Sequence, residues 1–128
     1  MFSIVIPTYN RSEDLAETLE GLKEISTTGP WEVVVVDNNS SDGTKEVVHE
    51  YAGSFPVEVR YLFEREQGRC AALNSGIASA RGEIIMTTDD DVRVRPDWLD
   101  QAALALDRLQ CDYLGGRVFP IWRQRRPE

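Results

Sequence analysis

Short apolar runs and stretches of helical spacing alternate along the chain, the pattern of βαβ units on a parallel sheet. Residues 2–7 read as a first strand, Phe2-Ser3-Ile4-Val5-Ile6 closed by Pro7. A helix is expected from about Ser12, a candidate N-cap, with Leu15, Leu19 and Leu22 at helical spacing before Gly29-Pro30 breaks it. Trp31 to Val36 form a second strand, and Val33-Val34-Val35-Val36 is apolar on both faces, as suits a central strand covered by helices. The turn cluster Asp37-Asn38-Asn39-Ser40-Ser41-Asp42-Gly43 leads into a helix with Val47, Val48 and Tyr51 inward. Residues 57–63 alternate as a third strand. Gly68 to Ala80 keeps Leu73, Ile77 and Ala80 in helical register, and Gly82 opens a fourth strand that runs into three aspartates.

Pro96 suits a first helical position before the amphipathic series Leu99, Ala102, Ala103, Leu106 and Leu109. Residues 112–119 read as a fifth strand, in which Gly115-Gly116 is either a bulge or a point of close approach. After Pro120 no pattern continues. The expectation is an α/β domain over residues 1–119, truncated after about the fifth strand. Residues 120–128 would then be the start of a further segment or a disordered tail, and the chain the front part of a longer polypeptide.

At 128 residues and 41% hydrophobic, the chain suffices for one core and is not a disordered composition. Its net charge of −8 is uneven: residues 117–128 carry four arginines against Glu128, or +3, which leaves −11 on residues 1–116. That balance argues against a nucleic-acid-binding body, although an acidic face still takes anionic phosphates when a cation mediates. Cys70 and Cys111 show no CxxC or Cys/His pattern and read as free thiols of a reducing compartment, the cytoplasm. No apolar stretch approaches the ~20 residues of a membrane helix. Any peripheral contact with the inner membrane face would fall to a part of the polypeptide beyond this chain.

The run Asp89-Asp90-Asp91 concentrates like charge at a strand end. A polar loop or helix start would explain it blandly. A divalent cation such as Mg²⁺ or Mn²⁺ would reverse its cost, entering with a phosphorylated substrate. Residues i and i+2 of a strand end project to one side, so Asp89 and Asp91 are the pair to share an ion. Ligands of open parallel sheets bind beyond the strands' carboxyl ends. There the first strand delivers Thr8-Tyr9-Asn10-Arg11 and the second Asp37-Asn38-Asn39-Ser40. Tyr9 is suited to cover a base, and Arg11 to face phosphate or a base carbonyl. Asp37 reads as an acceptor for a base N–H or as an Asx-turn residue, and Arg69 as a ligand contact or a solvated helix start. His49, the single histidine, reads as a partly exposed structural residue.

Four ordered segments carry a resemblance. Ser3 through Arg11 and Val35 through Thr44 resemble the opening of family 2 glycosyltransferases with the GT-A fold. Gln67 through Gly76 is similar to that family's third motif, and Gly82 through Asp91 to its strand leading into the DXD metal motif. The match spans about residues 3–119. It implies a Rossmann-like three-layer α/β/α sandwich with a mostly parallel sheet. It also implies an inverting transferase that uses a nucleotide-diphosphate sugar (UDP- or GDP-sugar) with Mg²⁺ or Mn²⁺, its acceptor unspecified. By motif position, Pro7, Thr8, Tyr9 and Arg11 would line the nucleotide pocket and Asp37 would hold the base. Arg69 would touch base or phosphate, Asp89 and Asp90 would belong to the substrate contacts, and Asp89 and Asp91 would hold the metal. The family's general base follows the fifth strand, so donor binding with weak or absent transfer is the expectation for this chain. Two alternatives stand beside it. One is a non-catalytic nucleotide-binding module. The other is a phospho-receiver domain, which wants an acidic pair after the first strand and a lysine near the last, whereas the only lysines here are Lys23 and Lys45.

Overall fold

A computed structural model describes residues 1–122. The elements run β1 (Phe2–Thr8), α1 (Ser12–Leu22), β2 (Trp31–Asp37), α2 (Thr44–Ala52), β3 (Val59–Phe63), α3 (Arg69–Ser79), β4 (Ile84–Thr87) and α4 (Trp98–Leu109). All four strands are parallel, in the order β3-β2-β1-β4. The first three strands step in one direction across the sheet. β4 then returns to the other side of β1, which makes the β1/β4 boundary the topological switch point. In open α/β sheets the ligand crevice lies there, outside the strands' carboxyl ends.

Layering follows from the alternation of side chains along the strands. Ile4 and Ile6 of β1 with Val33 and Val35 of β2 face one way and pack with Leu15, Leu19, Val48 and Leu99. Val5, Val34 and Val36 face the other way, beneath Ala72 of α3. β2 is buried along its whole length, as its unbroken valine run requires of a doubly covered strand. The expected three-layer Rossmann-like sandwich is the observed fold.

α3 meets the sheet through Leu73 of the expected register and, closer in, through small residues. Its buried residues are Ala72 and Gly76, while Ile77 is exposed and Ala80 lies past the helix end. The helix lies too close for bulk: a Cβ on Gly76 would fall within 2.8 Å of Val36 Cγ2 and closer still to Val5. Gly76→Ala is therefore expected to destabilise the fold by about 1–3 kcal/mol, as overpacking does, measured by urea denaturation.

Three other expectations are corrected. Ser12 is the first residue of α1 rather than its cap. Pro96 precedes α4 by two residues, in a turn closed by Trp98 N–H donating to Arg95 O at 3.1 Å. Residues 112–119 form no strand: they are exposed, and β4 borders no further strand among the described residues. Local alternation alone cannot create a strand without a partner offering its hydrogen bonds. Arg123, Arg125 and Arg126, with the rest of the expected tail beyond residue 122, lie outside the described residues.

Candidate functional site

Register brings the predicted residues together. Thr8 at the end of β1 is paired with Asp37 at the end of β2, and β4 stops at Thr87 beside β1, which releases Asp89-Asp90-Asp91 into the switch-point crevice. The three aspartates diverge there. Asp90 turns inward and is buried: its Oδ2 accepts from Thr8 Oγ1 at 2.8 Å, its Oδ1 from Arg11 at 3.1 Å, and its backbone O from Thr18 Oγ1 at 2.8 Å. Burial raises its carboxyl above the ordinary range. The Thr8 hydrogen bond and the Arg11 charge offset that only in part, and the neighbouring Asp91 adds to the rise.

Asp89 and Asp91 stay at the surface with side chains 44% exposed. Asp89 Oδ1 lies 2.6 Å from Arg69 at the start of α3, and Asp91 Oδ2 lies 3.0 Å from Arg11 before α1. Arg11 thus joins Asp14, Asp90 and Asp91 in one ion-pair cluster, and its proton is held more firmly than usual, chiefly by the Asp90 charge. Each surface carboxylate keeps a second oxygen beyond its arginine pair. Among the described residues no group of three or more His, Cys, Asp or Glu side chains could hold a metal. Two carboxylates alone would leave a hard cation's shell to be completed by other oxygens, such as those of substrate phosphates.

The other side of the rim is built by two stitched turns. Asn10 and Asn39 adopt left-handed backbone (φ 50° and 66°), a conformation Asn tolerates better than most residues. Asn10 N–H donates to Ser40 Oγ at 2.9 Å, and Ser41 N–H to Asn10 Oδ1 at 2.7 Å. Asp42 serves two helices at once, accepting Ser12 N–H at 3.0 Å at the start of α1 and Thr44 N–H at 3.1 Å at the start of α2. Tyr9, which follows Thr8 at the end of β1, stands half exposed on this rim.

Asp37 itself is buried. Its Oδ1 accepts Ser40 N–H at 2.9 Å, an Asx-type turn, and its Oδ2 accepts the Tyr61 hydroxyl at 2.7 Å. Burial, and next the bond to Asp37, push the Tyr61 hydroxyl far above its ordinary value, so it stays a neutral donor. Pro7 lies beneath the rim, half buried. His49 is exposed and stacks edge-on against Tyr61, as a structural residue would. Sequence reasoning missed Tyr61 and Asn38. For Tyr61 the available signal was its position two residues before the end of a strand that borders Asp37.

A switch-point crevice is where proteins of the doubly wound α/β class bind their ligands, and here carboxylates and guanidiniums line it. The chain belongs to glycosyl transferase family 2, whose model it matches over residues 3–125. It is 33% identical over 119 residues to glycosyltransferase AglE of Haloferax volcanii, covering 91% of this chain and 38% of that one. It is 30% identical over 129 residues to dodecaprenyl-phosphate galacturonate synthase of Rhizobium johnstonii, covering 98% and 37%. Among solved structures, the mannosyltransferase PcManGT of Pyrobaculum calidifontis, in complex with GDP-Man and Mn²⁺, superposes with a TM-score of 0.74. It is 34% identical, with 82% of this chain and 32% of that one covered. TarS of Staphylococcus aureus in complex with UDP-GlcNAc superposes with a TM-score of 0.69 at 27% identity, covering 94% and 37%. The chain spans no more than 38% of the length of these relatives.

Proposed function

We propose that this chain is the donor-binding part of an inverting glycosyltransferase that takes a UDP- or GDP-sugar together with Mg²⁺ or Mn²⁺. The observation that carries the reading is the pair Asp89 and Asp91, each exposed at the switch point with one oxygen beyond its arginine. Support comes from two relatives, one solved with GDP-Man and Mn²⁺ and one with UDP-GlcNAc.

In this reading Tyr9 covers the base and Asp37 accepts a base N–H, its carboxylate aimed by Tyr61 and the Ser40 amide. Arg11 and Arg69 bring positive charge to the phosphates. Thr8 and Asp90, facing each other, hold Arg11 and the end of β1 beneath the donor, with Pro7 under them. A divalent cation bound at Asp89 and Asp91 supplies charge that stabilises the departing nucleoside diphosphate.

Inverting transfer also needs a base within hydrogen-bond reach of the acceptor hydroxyl. Asp97 pairs with Arg95, and Asp100 accepts from Thr27, both at the start of α4. In this reading neither is free to serve as that base, the base comes from outside residues 1–122, and this chain alone binds donor with weak or absent transfer. The two cysteines are free, which fits a reducing cytoplasm. No helix among the described residues is long and apolar enough to cross a membrane. The polyprenyl-phosphate name of one relative supports work at the inner membrane face.

Saturation-transfer NMR with UDP, GDP and their sugars in Mg²⁺ tests the assignment. Base and ribose protons of one nucleotide should receive magnetisation from the protein. Absence of transfer to every nucleotide offered would sink the reading.

A further inference from the structure

Residues 64–68 bridge β3 and α3 with no regular structure of their own, yet they deliver Arg69 to the site. Their position is set largely by one buried residue. Asn38 Nδ2 donates to Glu66 O at 2.6 Å and to Glu64 O at 3.3 Å, and its Oδ1 accepts Gly68 N–H at 2.8 Å. Its backbone O accepts from Gln67 Nε2 at 2.6 Å, and its own N–H donates to Thr8 O at 2.9 Å. A single residue therefore ties the end of β1 and the loop to the end of β2. The side chain must offer two donors and an acceptor at once, which a primary amide does and a carboxylate does not. The last tethered residue, Gly68, has φ +137°, a backbone conformation that L side chains rarely adopt. Arg69 comes next, 60% exposed, with its guanidinium paired to Asp89. A long exposed arginine recognises a ligand efficiently only when its backbone is fixed in advance, because ordering it on binding costs affinity.

We propose that Asn38 is a positioning residue for donor recognition: it clasps the 64–68 loop so that Arg69 meets the nucleotide, and it acts through Arg69 rather than on the ligand. The proposal rests on the donor-site reading above. It assigns nucleotide affinity to a residue that is 5% exposed and whose side chain is fully engaged within the protein.

A double-mutant cycle tests it, with calorimetric titration of UDP and GDP in Mn²⁺. Asn38→Ala should weaken the better nucleotide about tenfold in the wild-type background and less than about twofold in Arg69→Ala, because the two losses are one loss. Gln67→Ala, at an exposed position, removes the fourth tether without threatening the fold. It should weaken binding about two- to threefold, and that effect too should vanish in Arg69→Ala. Should Asn38→Ala not melt cooperatively, the Gln67 cycle decides. Losses that add to that of Arg69→Ala would overturn the clasp, since a general structural role is additive. Unchanged affinity in Arg69→Ala itself would overturn the donor-site reading of Arg69, and the clasp with it.

Discussion

Asp91→Ala folds as the wild type does and loses metal-dependent nucleotide binding by about 100-fold or more: this is the largest functional effect expected of any single substitution here. The argument turns on the unequal burial of neighbouring carboxylates. Asp91 is half exposed and its ion pair is with the exposed Arg11, and surface pairs of this kind contribute about 0–1 kcal/mol to stability. Its removal should leave the thermal midpoint nearly unchanged. Asp90, one residue earlier, is the wrong position to test. It is buried between Thr8 and Arg11, so its loss disturbs the rim whether or not a metal binds. Isothermal titration in Mn²⁺ with parallel thermal melts separates the two effects. Unchanged nucleotide affinity in Asp91→Ala would remove that residue from the metal site.

Glu32→Ala is expected to cost about 3 kcal/mol of stability, read from urea denaturation, while leaving the rim in place. Glu32 lies in the middle of the sheet at 1% exposure, at the end of β2 remote from the site. Its Oε1 accepts from Ser3 Oγ at 2.6 Å and from Arg81 N–H at 2.8 Å, and its Oε2 from Arg60 Nε at 2.9 Å. Removing it leaves three donors without their acceptor. Because Arg60 keeps partial access to water, the cost falls at the lower end of the range for broken buried pairs.

The same group gives a pH dependence. Burial raises the Glu32 carboxyl, but the bonds from Ser3, Arg81 and Arg60 outweigh it and hold the folded value below the ordinary 4.5. A carboxyl depressed by folding stabilises the native state above its unfolded value, and that stabilisation is lost as pH falls through the folded value. The wild type should therefore lose stability below about pH 4.5 more steeply than Glu32→Ala. Equal stability of the two proteins at pH 7 would contradict the account of this network.

Much of the fold was legible because the driving patterns are local. The four valines of β2 announced a doubly covered strand. Leu15, Leu19 and Leu22 announced the inner face of α1, and the polar residues closing three strands marked one rim. Strand order was not legible: nothing in residues 82–91 says that β4 lies beside β1, and it is this placement that sets the aspartates against Arg11 and Thr8. On α3 the register Leu73, Ile77 and Ala80 marked only part of the face toward the sheet: Leu73 packs there, while close approach favours Ala72 and Gly76 over Ile77. Asn38 and Tyr61 escaped notice because their roles are made by loops and neighbours distant in sequence. Glu32 escaped for the same reason, its partners lying near residues 3, 60 and 81.

Calorimetry of the wild type with UDP and with GDP, in Mn²⁺ and again in EDTA, tests the central claim most directly. At least one nucleotide should bind in Mn²⁺, and its affinity should fall at least tenfold when the metal is chelated, as expected where phosphates complete the shell of a cation held by two carboxylates. Binding of equal strength in EDTA would contradict a metal–diphosphate site at Asp89 and Asp91, and binding of neither nucleotide would contradict the donor site itself.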